Sequence, residues 1–123
     1  MGAVVAAAVA AGARHSLRHV VVAGSSMQPA VAPGDRLLLL ALRGRPRVGD
    51  LVIASDPRAR DRVLLKRAHA VTVEGVDVRG DNPDASTDSR AFGMLPVATV
   101  RRCVGWRYAP AGRLAYVGRR ISW

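Results

Sequence analysis

The Ser-rich loop from Ala23 to Asp35 could carry a nucleophile, because loops held on a rigid sheet often carry catalytic groups. Ser26 follows the flexible pair Gly24-Ser25, which would let the Ser26 N–H face a substrate carbonyl as an oxyanion donor. A serine hydroxyl is a weak nucleophile until a neighbouring base accepts its proton. The loop therefore predicts a serine nucleophile that requires a base.

Lys66 and His69 are the candidate bases, and both fall in one predicted strand. Lys66 is the single lysine among 19 Lys and Arg residues, and lysine, unlike arginine, can lose its proton once it is desolvated. Side chains alternate along a strand, so only one of the two candidates can face a given site. Leu64 and Ala68 share the face of Lys66 and predict a lowered pKa, whereas a lone histidine on a small β domain is more often structural. These residues alone leave open a Ser-Lys dyad or a serine-rich turn with a snorkelling lysine.

The elements that would position these groups are short apolar segments separated by turn residues. The Glu74-Gly75 pair lies between two alternating segments and predicts a hairpin, and no βαβ spacing is present. The chain is therefore predicted to be mainly β, a compact antiparallel sheet or partly closed barrel. The predicted strands are Val20–Ala23, Arg36–Leu42, Leu51–Ala54, Val63–Ala70, Val71–Val73, Val76–Val78 and Thr99–Trp106.

Composition restricts the class of protein. The chain has 123 residues, half of them hydrophobic, which fits one small domain with its own core. Its net charge of +10 indicates an anionic partner, although the preference for arginine also fits a coding bias. One cysteine, Cys103, excludes a disulfide framework or a multi-cysteine zinc site and is expected to be a buried small residue. We expect no metal and no organic cofactor.

The N-terminal segment, residues 1–19, is apolar up to Ala13 and then carries Arg14 and Arg18. Thirteen helical residues span roughly 20 Å, less than the ~30 Å hydrocarbon core of a bilayer. Three interpretations remain open: a partial membrane anchor, an interfacial helix or an Ala-rich surface helix. If the segment inserted, the positive-inside rule would favour a cytoplasmic location for the domain that follows.

The C-terminal end, Arg101–Trp123, contains six arginines and no acidic residue. Leu114, Val117 and Ile121 have the spacing of one helical face. Basic and aromatic residues beside an apolar face are typical of a membrane interface, so an anionic membrane surface is a candidate partner. The alternative is a solvated tail whose aromatic residues fold back on the core. All four Trp and Tyr residues fall in this segment: Trp106, Tyr108, Tyr116 and Trp123.

Several segments, in order from about Val21 to Trp106, resemble the type I signal peptidases, serine endoproteases that remove leader peptides. Ser26-Met27-Gln28-Pro29 resembles the family's nucleophile motif and Lys66-Arg67 the pair that supplies its general base. Two Gly-Asp turns, at 34–35 and 49–50, and the segment from Gly80 to Pro96 complete the match. By this resemblance we expect residues 20–108 to form the catalytic domain and residues 109–123 a basic aromatic tail.

The resemblance implies that Ser26 is the nucleophile and Lys66 the base. Ser86 would hold the lysine amine, with Asp88 and Arg90 bracing Ser86; the alternative for those three residues is a self-satisfied polar turn. The oxyanion hole would combine the Ser26 N–H with a neighbouring loop group. Gly24 stands where some relatives have a serine hydroxyl, which leaves the second donor open. Met27 is interpreted as packing or lining of the substrate channel.

The implied substrate is a leader peptide bound in extended form and cut after small residues, by a domain at a membrane surface. Short spacing between Lys66 and Gly80 also fits a compact branch, the cytoplasmic maturation proteases of nickel-type superoxide dismutase. A self-cleaving domain like those of SOS repressors would need a bond such as Ala11-Gly12, and no DNA-binding domain precedes the site. A non-enzymatic basic module would leave Ser26 and Lys66 unexplained. We expect no nucleic-acid partner, because no recognition motif accompanies the arginines.

Overall fold

The computed structural model describes residues 3–9, 17–110 and 115–119, with side chains for residues 17–110 and 116–119. Within these residues the protein is mainly β, as predicted. One short helix, α1, covers Ser89–Phe92, and single 3-10 turns cover Pro83–Ala85 and Val97–Thr99. The strands are β1 (Ala3–Val9), β2 (Leu17–Val22), β3 (Arg36–Ala41), β4 (Leu51–Asp56), β5 (Ala59–Thr72), β6 (Gly75–Arg79), β7 (Val100–Ala109) and β8 (Ala115–Val117).

The strands form one antiparallel sheet in the order β1-β2-β3-β7-β4-β5-β6. β8 lies off this path and continues the edge of β7 beyond β4, because β4 pairs with residues 100–103 of β7 and β8 with residues 105–107. β1 also meets β5 over two residue pairs. This contact curls the sheet without closing it into a continuous barrel, and β6 lies outside the contact.

The predicted hairpin forms between β5 and β6, where Thr72 pairs with Gly75 around Val73-Glu74. Gly75 has a φ of +147°, and a Cβ there would lie 2.5 Å from the Leu95 carbonyl oxygen, so the turn needs glycine. β5 begins before its apolar residues because Ala59 pairs with Asp56 of β4 at the end of a second hairpin. The two hairpins make β5 the longest strand, which pairs with β4 up to Arg67 and with β6 from Arg67 onward.

β4 and the middle of β5 are covered on both faces. Leu51 and Ile53 of β4 face the main core, which also contains Leu37, Leu39 and Leu65. The opposite face of β4 packs in a second, smaller cluster, because side chains alternate across a strand. Its buried members are Val52, Ala54, Ala68, Val76, Val78, Leu95 and Val100. A polar side chain in this middle layer is therefore removed from water.

The two helical interpretations of the N-terminal segment are wrong for residues 3–9, which form strand β1. β1 pairs antiparallel with β2, with Val5 opposite Val21. The pairing satisfies the backbone groups along one edge of β2, and such tertiary pairing overrides the high helix propensity of alanine, because propensity is a small energy per residue. Arg14, His15 and the Ala11-Gly12 bond lie outside the described residues. No helix among the described residues is long and apolar enough to cross a membrane.

The predicted helical face at the C-terminal end is also wrong where it can be compared, because Ala115–Val117 is strand β8. Val117 is buried in the main core, while Tyr116 on the opposite side is exposed. This alternation, with pairing to β7, explains the strand. Leu114, Ile121 and Trp123 lie outside the described residues.

Candidate active site

Ser26 lies in the turn that follows β2 and is buried, whereas Gly24 and Ser25 before it are half-buried. The turn is held by backbone hydrogen bonds from Gln28 N–H to the Ser25 carbonyl and from Val31 N–H to the Met27 carbonyl. Within the described part of the chain, no acceptor takes the Ser26 N–H. That N–H is the group which the sequence predicts as an oxyanion donor.

Two Gly-Asp turns fix the ends of the segments around the site, and they have the same geometry. Gly34 and Gly49 have φ values of +87° and +92°, which favour glycine. Asp35 accepts a hydrogen bond from Ala32 N–H at 2.9 Å, and Asp50 accepts one from Arg47 N–H at 2.7 Å. Each aspartate is also paired with an arginine of β7: Asp35 with Arg107 and Asp50 with Arg102.

Lys66 lies in the middle of β5 opposite Val52 of β4, and it is only 1% exposed. Leu64 and Ala68, its neighbours on the same face, are equally buried. Loss of hydration disfavours the charged ammonium, so burial lowers the pKa of Lys66 from 10.5 to about 8; the negative charge of Asp88 opposes this change. The predicted apolar environment and lowered pKa are confirmed.

The Lys66 amine is held by the second polar loop. Lys66 Nζ donates to Ser86 Oγ at 3.0 Å, and Ser86 Oγ donates to Asp88 Oδ2 at 2.7 Å. Gly80 N–H also donates to Ser86 Oγ, at 3.1 Å. The hydroxyl thus makes one donated and two accepted bonds, which is its full capacity. Its orientation is fixed, and it accepts an N–H from Lys66 rather than competing for the amine lone pair.

Asp88 is buried and joined to Arg90 through a fork of two hydrogen bonds, with Arg90 Nε 2.9 Å from Oδ1 and Nη2 2.8 Å from Oδ2. Asp88 also caps the start of α1 by accepting from the Arg90 N–H. Burial alone would raise the pKa of Asp88, but hydrogen bonds from Arg90, Ser86 and Gly80 outweigh it and hold the pKa well below its usual range. Asp88 is therefore charged at neutral pH.

Gly80 is the point where the serine turn meets the loop that holds Lys66. A Cβ at this position would lie 2.4 Å from Ser86 Oγ and 2.5 Å from the Ser26 carbonyl oxygen. The next contact on the same loop is equally direct, because Asn82 N–H donates to the Ser26 carbonyl at 2.7 Å and Asn82 Nδ2 donates to the Ser25 carbonyl at 3.1 Å. Ser26 and Lys66 are thus both bound to one loop, residues 80–86.

The sequence alone predicts no role for Gly80, Asn82, Arg67 or Asp81. Arg67 donates through Nε and Nη2 to the Asp81 carboxylate and through Nη1 to the Gly118 carbonyl at 2.6 Å. The Arg67–Asp81 pair fixes the start of loop 80–86, and the bond from Arg67 to Gly118 attaches the segment after β8 to β5. A basic residue directly after a buried lysine, followed 14 residues later by an aspartate, was the available signal.

The structure also places the alternative candidate base His69 and the residues Met27 and Cys103, for which the sequence predicts no catalytic role. His69 is exposed at a bulge of β5, so its side chain is not placed with Lys66. Met27 is buried in the main core, and its sulfur accepts from Asp81 N–H at 3.4 Å, which supports the packing interpretation. Cys103 is buried as predicted, and burial raises the pKa of its thiol to about 12.

This arrangement has the parts required for acyl transfer by a serine. It comprises a serine in a tight turn, a lysine with a lowered pKa, and a hydroxyl and carboxylate that orient that lysine. The described geometry links Ser26 to Lys66 through loop 80–86, and the catalytic roles of Ser26, Lys66, Ser86, Asp88 and Arg90 stay predictions.

Comparison with known proteins agrees with the motifs. Residues 1–81 match the model of a family described as signal peptidase, peptidase S26. The chain is also 37% identical, over 91 residues, to mitochondrial inner membrane protease subunit 1 of Xenopus tropicalis. This similarity covers 74% of the chain and 48% of the relative, so the chain spans about half the length of the curated relative it matches. No solved structure matches.

Proposed function

Because the chain belongs to the signal peptidase S26 family, we propose that it is a serine endopeptidase that removes leader peptides from precursor proteins. Ser26 is the nucleophile and Lys66 the general base. The observation that carries the proposal is the burial of the chain's single lysine, held at 3.0 Å by Ser86 in a loop that also binds the Ser26 carbonyl.

The first step uses the lone pair of neutral Lys66. Ser26 Oγ attacks the carbonyl carbon of the scissile bond, and the Ser26 proton passes to Lys66 Nζ. A pKa of about 8 leaves a useful fraction of the amine neutral near pH 7 to 8, which an exposed lysine could not provide. The Ser26 N–H, which has no acceptor among the described residues, donates to the oxyanion in this proposal.

The second step uses the same proton. The C–N bond breaks as the Lys66 ammonium gives its proton to the departing amine, which leaves an acyl group on Ser26. Water then attacks this ester while Lys66 accepts a water proton and returns it to Ser26 Oγ. Charged Asp88 stabilises the transient ammonium through Ser86, because opposite charges favour the protonated lysine.

The substrate binds as an extended strand, with main-chain hydrogen bonds for affinity and shallow pockets for alternate side chains. The small residues of the leader next to the scissile bond fit a buried nucleophile in a tight turn. No cofactor takes part in this mechanism.

The test is cleavage of a leader peptide with an Ala-x-Ala site between pH 6 and 10. Wild-type activity should rise with pH with a midpoint near 8. Lys66→Arg should lose about a thousandfold or more, because a positioned general base contributes roughly 10²–10⁴-fold. Ser26→Ala should lose at least as much, because it removes the nucleophile itself. Arg60→Gln, which removes an exposed charge from the same strand, is the matched control and should retain activity.

Residual activity in Lys66→Arg would contradict the proposal, since a guanidinium cannot act as the base. Circular dichroism of each variant separates loss of catalysis from loss of fold. A folded wild type that cleaves neither this peptide nor a dismutase-type leader would also contradict it.

We also propose that the outer face of β7 and β8 lies against an anionic membrane surface. Trp106, Tyr108 and Tyr116 are between 41% and 61% exposed, and Trp106 packs edge-to-face on Tyr116. Amphipathic rings of this kind favour the headgroup region. Replacing Trp106 and Tyr116 with Ser should weaken co-sedimentation with vesicles that contain anionic lipid; unchanged co-sedimentation would contradict this part.

A further inference from the structure

A cleft of about 590 Å³ lies beside the candidate active site and does not include Ser26 or Lys66. Its walls come from residues 67–69 of β5, the end of β6, loop 80–86, α1, the turn before β4 and the segment after β8. The charged and titratable side chains that line it are Arg67, His69, Arg79, Asp81, Arg90 and Arg119. Four arginines thus converge on one concave surface.

Three of these arginines are held by a fork onto a carboxylate. Arg67 forks onto Asp81 and Arg90 onto Asp88, and both carboxylates are only 1% exposed. Arg79 forks onto Asp77 with both nitrogen–oxygen distances at 3.1 Å. Because a fork fixes the plane of a guanidinium, these side chains are oriented before any ligand arrives.

Three of the arginine side chains are more exposed than the carboxylates beside them. The side chains of Arg79, Arg90 and Arg119 are 36%, 39% and 43% exposed. In the forks of Arg79 and Arg90 the bonds use Nε and Nη2, and among the described residues no acceptor takes the Nη1 amino group of either. The cleft therefore presents several oriented N–H donors on a cationic surface.

Guanidinium groups arranged in this way bind carboxylates or phosphates through paired hydrogen bonds. An acidic peptide fits the cleft better than nucleic acid for two reasons. Single-stranded nucleic acid uses aromatic platforms for base stacking, and His69 is the one aromatic ring on the cleft wall among the described residues. The cleft also shares Gly80 and Arg90 with the surroundings of the candidate active site, where a peptide has to pass.

We infer that this cleft is an exosite for acidic side chains of the precursor, separate from the pockets that read residues next to the scissile bond. The inference rests on the proposed endopeptidase function. An extended segment that continues from Ser26 across loop 80–86 places its Glu or Asp side chains on Arg79 and Arg119. Selection of precursors then depends on an acidic segment as well as on the small residues at the cleavage point.

Direct binding tests the cleft without requiring cleavage. The probe is a fluorescein-labelled peptide with four Glu residues and no Ala-x-Ala site, measured by anisotropy with the full chain at 50 and 200 mM salt. Wild type should bind, more weakly at the higher salt, and Arg79→Gln/Arg119→Gln should bind at least about tenfold more weakly. The control Arg45→Gln/Arg60→Gln has the same net charge and removes exposed arginines that do not line the cleft.

Equal binding by the two double variants would overturn the inference, because the effect would then be one of net charge alone. An oligonucleotide of equal charge that bound more tightly than the peptide would also overturn it. Circular dichroism of both variants establishes that they are folded.

Cleavage provides the second readout. Leader peptides with an Ala-x-Ala site carry four Glu residues before or after the site, and matched peptides carry Gln instead. Wild type should cleave at least one Glu peptide with a KM about tenfold below its Gln partner, and this ratio should fall to near one in Arg79→Gln/Arg119→Gln. A ratio that is unchanged in that variant overturns the exosite. Failure to cleave any peptide, with binding as expected, overturns the endopeptidase and leaves the cleft as an acidic-peptide site.

Discussion

Two Asp-x-Arg segments of this protein have the same local geometry and different connections. In Asp56-Pro57-Arg58 and in Asp88-Ser89-Arg90, the arginine N–H and Nε donate to Oδ1 while Nη2 donates to Oδ2. Both aspartates are buried and have lowered pKa values. Arg58 lies over the ring of Phe92, 5.4 Å from its centroid, so the first fork joins the β4–β5 hairpin to α1.

The second fork differs in what else its carboxylate accepts. Asp88 Oδ2 receives the Ser86 hydroxyl at 2.7 Å and the Gly80 N–H at 3.0 Å, and Ser86 in turn receives the Lys66 amine. Among the described residues, Asp56 is not connected to Lys66 by a comparable series of hydrogen bonds. The fork itself is therefore a structural device, and under the proposed mechanism only the Asp88 fork, through Ser86, would position the base.

The largest effect should separate the two aspartates. Asp88→Asn should lower kcat/KM by about a thousandfold, because one face of the amide donates where Ser86 and Gly80 need an acceptor. Asp56→Asn should change kcat/KM by less than about threefold. Both variants should lose a similar free energy of unfolding, about 2 kcal/mol, since each weakens hydrogen bonds to a buried charged group. Peptide kinetics and urea unfolding measure the two quantities.

The pH dependence of activity should also distinguish Asp88 from Asp56. Asp88 raises the pKa of Lys66 and Asp56 does so to a smaller extent. Loss of either negative charge should move the rise of activity to lower pH, further for Asp88→Asn. Equal loss of activity in both variants, or a shift to higher pH, would contradict the distinction between the forks.

Stability should also depend on pH through Lys66. Its pKa is about 8 in the fold and near 10.5 when unfolded, so between these values the unfolded chain binds more protons and stability rises with pH. The full gain is roughly 3 kcal/mol at 1.36 kcal/mol per pKa unit, complete by about pH 10.5. Urea unfolding of wild type and Lys66→Met at pH 7.5 and 10.5 isolates the contribution of Lys66 to the free energy of unfolding, because all other titrating groups are common to both proteins. If the free energy of unfolding of Lys66→Met rose by the same amount between these pH values, another titrating group would be responsible.

A smaller loss should follow from filling the space at Gly80, which donates to the Asp88 fork and has no counterpart at the Asp56 fork. In Gly80→Ala the new methyl group would overlap the Ser26 carbonyl and Ser86, and displacement of about 1 Å costs roughly a hundredfold in kcat/KM. In the control Gly118→Ala the methyl group meets the end of the Tyr116 side chain, which can rotate away. Activity of Gly80→Ala within threefold of wild type would show that loop 80–86 does not position the site.

Much of the sheet could be predicted because its strands have their own local signals. Short apolar segments ending at Gly, Pro or Asp predict β3, β4 and β7, and Glu74-Gly75 predicts the β5–β6 hairpin. β1 and β8 could not be predicted, because alanine-rich or glycine-containing segments take their conformation from the strand beside them. β1 depends on β2 and β8 on β7.

In the candidate site, too, features with a local sequence signal could be predicted, and features that depend on distant residues could not. The burial of Lys66 and its lowered pKa follow from local alternation with Leu64 and Ala68, so the sequence predicts both. The contacts of Gly80 and Asn82 with the serine turn join residues more than 50 positions apart. No local pattern specifies which atoms of two distant loops meet, so these contacts could not be predicted without the three-dimensional structure.

The most direct test of the account is the titration of Lys66 itself by NMR. Because the chain contains one lysine, labelling with ¹³C-lysine gives one side-chain signal that needs no assignment. We expect a midpoint near pH 8 for the folded protein and near 10.5 after unfolding in urea. A midpoint near 10.5 in the folded protein would contradict it, because Lys66 would then be a solvated cation and could not serve as the base for Ser26.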